Sequence, residues 1–175
     1  VLISGCAGGV GTAAVQIAHS AGAQVVGSVR NPDMRDGVLA LGADQVIEPD
    51  QVPETGPYDV SLELVGAPGV TAALGAMATG GRIVVIGVGS GANVEMNLLV
   101  LMQKRVRIGG STLRGRSVEE KAEVARAVES DVLPLLASGQ VKVPLAATYP
   151  MADATAGYER FAAGGKLGKI VLVNR

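Results

Sequence analysis

The residues best suited to chemistry are a run of glycines near the start of the chain, Gly5-Cys6-Ala7-Gly8-Gly9-Val10-Gly11. It lies between a β-branched run, Val1-Leu2-Ile3-Ser4, and a helical pattern. A strand-to-helix turn of this kind aims the free N–H groups of the helix N-terminus outward, where they favour an anion, usually a pyrophosphate. Gly8 permits close backbone approach to that anion, and Gly11 permits close packing of helix on strand. In the G-x-G-x-x-G pattern the first glycine would fall at Cys6, so only the second and third are present. A Walker-type phosphate loop is excluded, because no Gly-Lys-Ser/Thr follows.

The same pattern expects a ribose-contacting residue about 20 positions further on, at Val29-Arg30-Asn31. An acidic residue there would bind a ribose 2′-hydroxyl. Here Val29 stands where the acid would fall and Arg30 follows it, a combination suited to a 2′-phosphate. The expected cofactor is therefore NADP(H), with Ser28, Arg30 and Asn31 around the phosphate. A tight turn without ligand, and a solvated Arg30, are the plainer alternatives.

Other chemistry is sparse. The chain has one His and one Cys, which excludes a disulfide framework and multi-residue His or Cys metal clusters. Cys6 reads as a small packing residue in the loop, and His19 as a solvated side chain on the first helix. Glu63, at the end of a strand, reads as the acceptor of a structural hydrogen bond. No Tyr-x-x-x-Lys pair occurs: Tyr58, Tyr149 and Tyr158 are followed four positions on by Leu62, Asp153 and Ala162. No catalytic residue is assigned. With 15 Lys and Arg against 16 Asp and Glu, net charge −1, there is no basic excess for nucleic acid. No apolar run reaches membrane-spanning length, and the expected setting is cytoplasmic.

The elements that position the loop follow from an alternation of short apolar runs with helical patterns, the signature of βαβ units. Strands are expected at 1–4, 24–29, 44–47, 58–64, 82–87 and 105–111, and a last one at 169–173. The strand at 82–87, the most apolar, is expected at the centre. Helices are expected at 9–21, 33–41, 69–79, 97–104, 117–137 and 151–163. The first should bury Val10, Ala14, Ile17, Ala18 and Ala21, and Ser117 and Glu120 should form a capping box. The fold class is α/β, a doubly wound parallel six-stranded sheet of Rossmann type, with ligands at the carboxyl ends of its strands. With 25 glycines and 2% aromatics among 175 residues, the core must be built from aliphatic side chains.

The stretch Val1–Ala18 closely resembles the cofactor loop of the medium-chain dehydrogenase/reductase superfamily, especially its quinone oxidoreductase (zeta-crystallin-like) branch. Leu41–Asp44, Tyr58–Gly66, Gly80–Val84, Gly110–Ser117 and Gly165–Leu172 are similar to further segments of that family. The resemblance implies a cofactor-binding domain over 1–150. A helix and strand over 151–175 would pack toward an N-terminal catalytic domain that is absent here, consistent with a chain that opens on Val1 inside a strand. It places Gly8, Gly9 and Val10 at the pyrophosphate and Val65 and Gly66 at the ribose. Gly87, Val88 and Gly89 fall near the nicotinamide, with Leu113 and Arg114 flanking that end. Relatives often hold the 2′-phosphate with Lys and Tyr where this chain has Met34 and Pro49, which leaves the task to Arg30 or Arg35. Lys166 is the candidate for a basic residue near the last strand.

The resemblance further implies hydride transfer from NADPH to a quinone or enone, without zinc. It also implies a homodimer joined through sheet edges, with 93–97 and 105–111 as candidate edges. The alternatives are a non-catalytic nucleotide-binding or sensor module, or an S-adenosylmethionine-dependent methyltransferase. Val29 argues against the last, since such enzymes want an acid there.

Overall fold

The computed structural model describes residues 1–174. The first strand, β1 (Leu2–Ser4), runs through the glycine loop into α1 (Gly11–Ser20). β2 (Val26–Ser28) follows, then a short 3₁₀ turn and α2 (Arg35–Leu39), then β3 (Gln45–Ile47). α3 (Val52–Thr55) leads into β4 (Tyr58–Glu63), α4 (Ala67–Ala76) and β5 (Met77–Val85). α5 (Leu98–Lys104) and β6 (Arg107–Gly110) complete the main sheet. Beyond it lie α6 (Val118–Asp131), α7 (Leu133–Ala137), β7 (Leu145–Pro150), α8 (Ala154–Ala162) and β8 (Lys169–Val173).

The main sheet is parallel throughout, in the order β3-β2-β1-β4-β5-β6. This is the expected doubly wound Rossmann-type arrangement. The strand order reverses between β1 and β4, and a crevice opens there at their carboxyl ends. Two aliphatic cores cover the two faces. Val15 and Val38 from α1 and α2 join Ile3, Val25 and Val29 on one side. Val52, Val70, Ala73 and Leu74 from α3 and α4 join Leu2, Val26 and Ile83 on the other. Each fully buried aliphatic side chain contributes roughly 1.5–3 kcal/mol, so a core without Trp and with few aromatics is sufficient.

Five expectations are corrected. The strand around 82–87 starts at Met77 and is second from the edge; the centre is β1 and β4, because the switch point lies between them. Its Met77 and Ile83 are buried and join Val70, Ala73 and Leu74 of α4 in one of the two cores. The first helix meets its expected face in part: Ala14 and Ala18 pack against the core, but Thr12, Val15 and Gln16 are the buried residues, while Val10, Ile17 and Ala21 are exposed. Gln16 can be buried because its amide donates to Thr12 O and Lys142 O, both at 2.9 Å, and accepts from Lys142 N at 2.8 Å. The helix expected over 117–137 is two helices, α6 and α7, since Pro134 removes a backbone donor where they meet. β7 was not anticipated. It pairs in parallel with β8 as a separate two-stranded sheet, so the strand ending at Pro150 shares its ladder with the segment after 151. The segment 93–97 forms no strand, whereas β6 is an edge of the main sheet. Ser117 and Glu120 do form the capping box of α6.

Candidate functional site

The glycine loop is held by its own backbone. Gly5 takes φ +64°, a conformation that glycine adopts at little cost, and the N–H groups of Gly5 and Cys6 donate to Ser28 O at 3.0 and 3.3 Å. Gly11 is where helix and strand meet: a Cβ there would stand 2.5 Å from both Cys6 Cα and Gly5 O. Gly8 N donates to Gly5 O at 3.1 Å and its own carbonyl accepts from Thr12 N at 2.9 Å, so the loop closes directly onto α1. No side chain caps this helix and no acidic residue lies in its first turn. Among the described residues, the N–H groups of Gly9 and Val10 have no hydrogen-bond partner. These free donors and the positive end of the helix dipole make an anion site.

A cavity of about 470 Å³ opens beside this loop at the carboxyl edge of the sheet. Ser4, Gly5, Ser28 and Arg30 line it from the ends of β1 and β2. Pro49 and Val52 close it beyond β3, and Val65, Pro68, Gly69, Gly89 and Ser90 contribute from the loops after β4 and β5 and from α4. Ser4 Oγ accepts from Leu64 N at 3.1 Å and donates to Leu62 O at 3.3 Å, tying β1 to β4 at the rim. Arg30 is exposed and, among the described residues, forms no ion pair. Arg35, the other expected phosphate ligand, is paired with Glu48 at 2.5 Å. Asn31 is occupied on one side: its Oδ1 accepts from Asp33 N at 3.0 Å and caps the 3₁₀ turn.

The loops after β4 and β5 interlock. Gly66 takes φ +124°, and a Cβ there would stand 2.5 Å from Gly91 O. Ser90 N donates to Val65 O and Ala67 N to Gly91 O, both at 2.9 Å. A Cβ at Gly87 would run into the carbonyl of Leu64. Val65, Gly66, Gly87, Val88 and Gly89 thus stand together. Leu113 and Arg114 lie in an exposed loop after β6, and neither lines the cavity.

Cys6 is fully buried and its thiol donates weakly to Ser28 O at 3.5 Å. Burial pushes it up to about 12, so it remains a thiol at neutral pH and packs rather than reacts. His19 is exposed.

Ser4, Val52, Pro68, Gly69 and Ser90, which line the cavity, are not singled out by the sequence, and neither is Lys169. Lys169, the first residue of β8, lays its ammonium group over the glycine loop, in the space that a side chain at Gly9 would need. Gly168 N donates to Ala7 O at 3.0 Å and fixes this crossing. Lys166, the expected basic residue, instead stacks on Phe161 at 4.8 Å and donates to Gly168 O at 3.2 Å. Its neighbour Lys169 carries a sequence signal of its own, a Lys that opens a β-branched strand.

Residues 9–130 match the zinc-binding dehydrogenase family. The chain is 30% identical over 175 residues to acryloyl-coenzyme A reductase of Metallosphaera sedula, covering 98% of this chain and 50% of that protein. It is 29% identical over 183 residues to the quinone oxidoreductase of Homo sapiens, covering 99% and 54%. The crystal structure of the quinone oxidoreductase from Thermus thermophilus, described together with its NADPH complex, superposes with a TM-score of 0.84 at 32% identity, covering 98% and 56%. The chain thus spans about half the length of the curated relatives it matches. Among the described residues no group of three or more His, Cys, Asp or Glu side chains is placed to hold a metal, so these residues do not fit a zinc ion. The sheet order, the glycine turn and the match across most of the main sheet converge on one assignment: the chain belongs to the zinc-binding dehydrogenase family, as the cofactor-binding domain of a medium-chain dehydrogenase/reductase of the quinone oxidoreductase branch.

Proposed function

We propose that this chain binds NADP(H) and serves an oxidoreductase that passes hydride to a quinone or an enone-type substrate. The observation that carries the reading is the uncapped N-terminus of α1 at the end of a glycine loop whose Gly5 lines a cavity, and the β2 edge of that cavity bears Arg30 and no acid. Gly8, Gly9 and Val10 would hold the pyrophosphate, with the Lys169 ammonium adding charge beside it. Ser28 and Arg30 would take the 2′-phosphate. Val65 and Gly66 would lie against the ribose, and Gly87, Val88 and Gly89 against the nicotinamide. When bound, the cofactor supplies the hydride; the protein's part is to orient the ring and exclude water. The relatives named for quinone and acryloyl-coenzyme A reduction both act on conjugated acceptors, which favours that substrate class.

Two apolar features support docking of a further domain against the C-terminal segment. Tyr158 and Phe161 are 70% and 60% exposed. Beside them Gly157, Ile170 and Leu172 line a pocket of about 180 Å³. The free edge of β6 fits a dimer formed by sheet extension. A cytoplasmic setting belongs to the same reading; among the described residues no helix is long and apolar enough to cross a membrane.

The test is a pair of titrations. NADPH should bind more tightly than NADH, and Arg30→Ala should weaken NADPH about tenfold while leaving NADH unchanged, the scale of one partly screened charge-assisted contact. Equal affinities in the wild-type chain would overturn the NADP(H) assignment.

A further inference from the structure

Glu63 is the last residue of β4 and is completely buried, a place where a carboxylate is costly. Its Oε1 accepts from Val65 N at 2.5 Å and from Gly66 N at 2.8 Å. Its backbone carbonyl accepts from Ile86 N at 2.9 Å and from Gly87 N at 3.2 Å. One residue therefore fastens both loops of the ribose and nicotinamide end, through its side chain to one and its main chain to the other. The loops then lock onto each other through Val65, Ser90, Ala67 and Gly91.

Position 66 can carry no capping side chain for α4, because Gly66 takes φ +124° and a Cβ there would stand 2.5 Å from Gly91 O. The chain instead accommodates the carboxylate with glycine at 69, inside α4, where any Cβ would collide with it. Gly69 is also part of the cavity wall, so the carboxylate sits directly behind the site. Oε2 has no hydrogen-bond partner among the described residues. Such a group is weak evidence for stability in itself. Its charge also answers the positive end of α4, which leaves the uncapped N-terminus of α1 as the place for phosphate.

We infer that Glu63 is a positioning residue for the cofactor site: it sets the two loops in the geometry that accepts the ribose and nicotinamide. The inference rests on the NADP(H) reading above. In the chain as it stands, Glu63→Ala should weaken NADPH binding at least tenfold. Glu63→Gln, which keeps an acceptor but no charge, should recover part of that loss. Val70→Ala, beneath the same helix and 4% exposed, should lower the melting temperature and leave NADPH affinity at the wild-type value. In the ligand-free protein, amide exchange should quicken in Glu63→Ala and Glu63→Gln at Val65 and Gly66 and also at Gly87 and Ser90.

A Glu63→Ala chain that binds NADPH within twofold of wild type overturns the inference. So does faster exchange that stops at Gly66. If Glu63→Ala does not fold, the same two readings are taken on Glu63→Gln. A wild-type chain that binds no NADPH defeats the cofactor reading instead, and the exchange pattern across the two loops still decides whether Glu63 sets them.

Discussion

Gly11 offers the sharpest test of how the phosphate loop is built. In Gly11→Ala the new Cβ would lie 2.5 Å from Cys6 Cα and Gly5 O and 2.7 Å from Cys6 C. All three neighbours are backbone atoms and cannot swing aside, so α1 must retreat from β1 by the better part of an ångström. Overpacking of this kind costs about 3 kcal/mol at the upper end of its usual range. The helical preference of Ala over Gly offsets about 0.5–1 kcal/mol, leaving a net loss near 2 kcal/mol. For a domain of this size that lowers the melting temperature by about 4–8 °C. Retreat of α1 also withdraws the Gly9 and Val10 donors from the anion site, so NADPH affinity should fall together with stability. Calorimetric melting and an NADPH titration read the two effects. Gly75→Ala is the matched control: it lies within α4, a Cβ there meets nothing within 4 Å, and it should stabilise by about 0.5–1 kcal/mol. A Gly11→Ala protein that melts within a degree of wild type and binds NADPH normally would refute the close-approach argument.

Two further outcomes follow from the burial pattern. Cys6 has its thiol raised from 9.0 to about 12. The protonated thiol therefore contributes full stability below pH 9, and the contribution is lost as pH climbs from about 9 to 12, by roughly 1.4 kcal/mol per unit. The melting temperature of wild type should fall more steeply than that of Cys6→Ala across this window, and parallel curves would contradict the assignment. Gln16→Ala removes all three hydrogen bonds of the Gln16 amide, one to Thr12 within α1 and two that join the helix to Lys142. It should cost about 2–3 kcal/mol and speed amide exchange at Lys142; an unchanged exchange rate there would show that the tie is dispensable.

What the sequence disclosed tracks how local the determining physics is. The glycine turn, the strand ends and the α6 capping box are set by residues within a few positions of one another, and each was legible. The buried face of α1 was not. Gln16 looks like a surface residue until its partner, Lys142, is supplied from a segment 126 positions away. Lys169 and Lys166 were indistinguishable by type and differ only in what the chain's return path brings beneath them. β7 carries the small and polar residues Ala146, Ala147 and Thr148, and is a strand only because β8 pairs with it. Glu63 was read correctly as a hydrogen-bond acceptor. Its grip on a second loop depends on strand order, which local pattern does not encode.

The crossing of Gly168 and Lys169 over the glycine loop bears on synthesis. The glycine loop is finished by residues about 160 positions later in the chain, and the entropy of closing so long a loop must be met before the two can meet. A nascent chain can fold β1, α1 and β2 early and still hold an incomplete cradle. Competence to bind the phosphate would then be gained late and in one step, when the last strand docks.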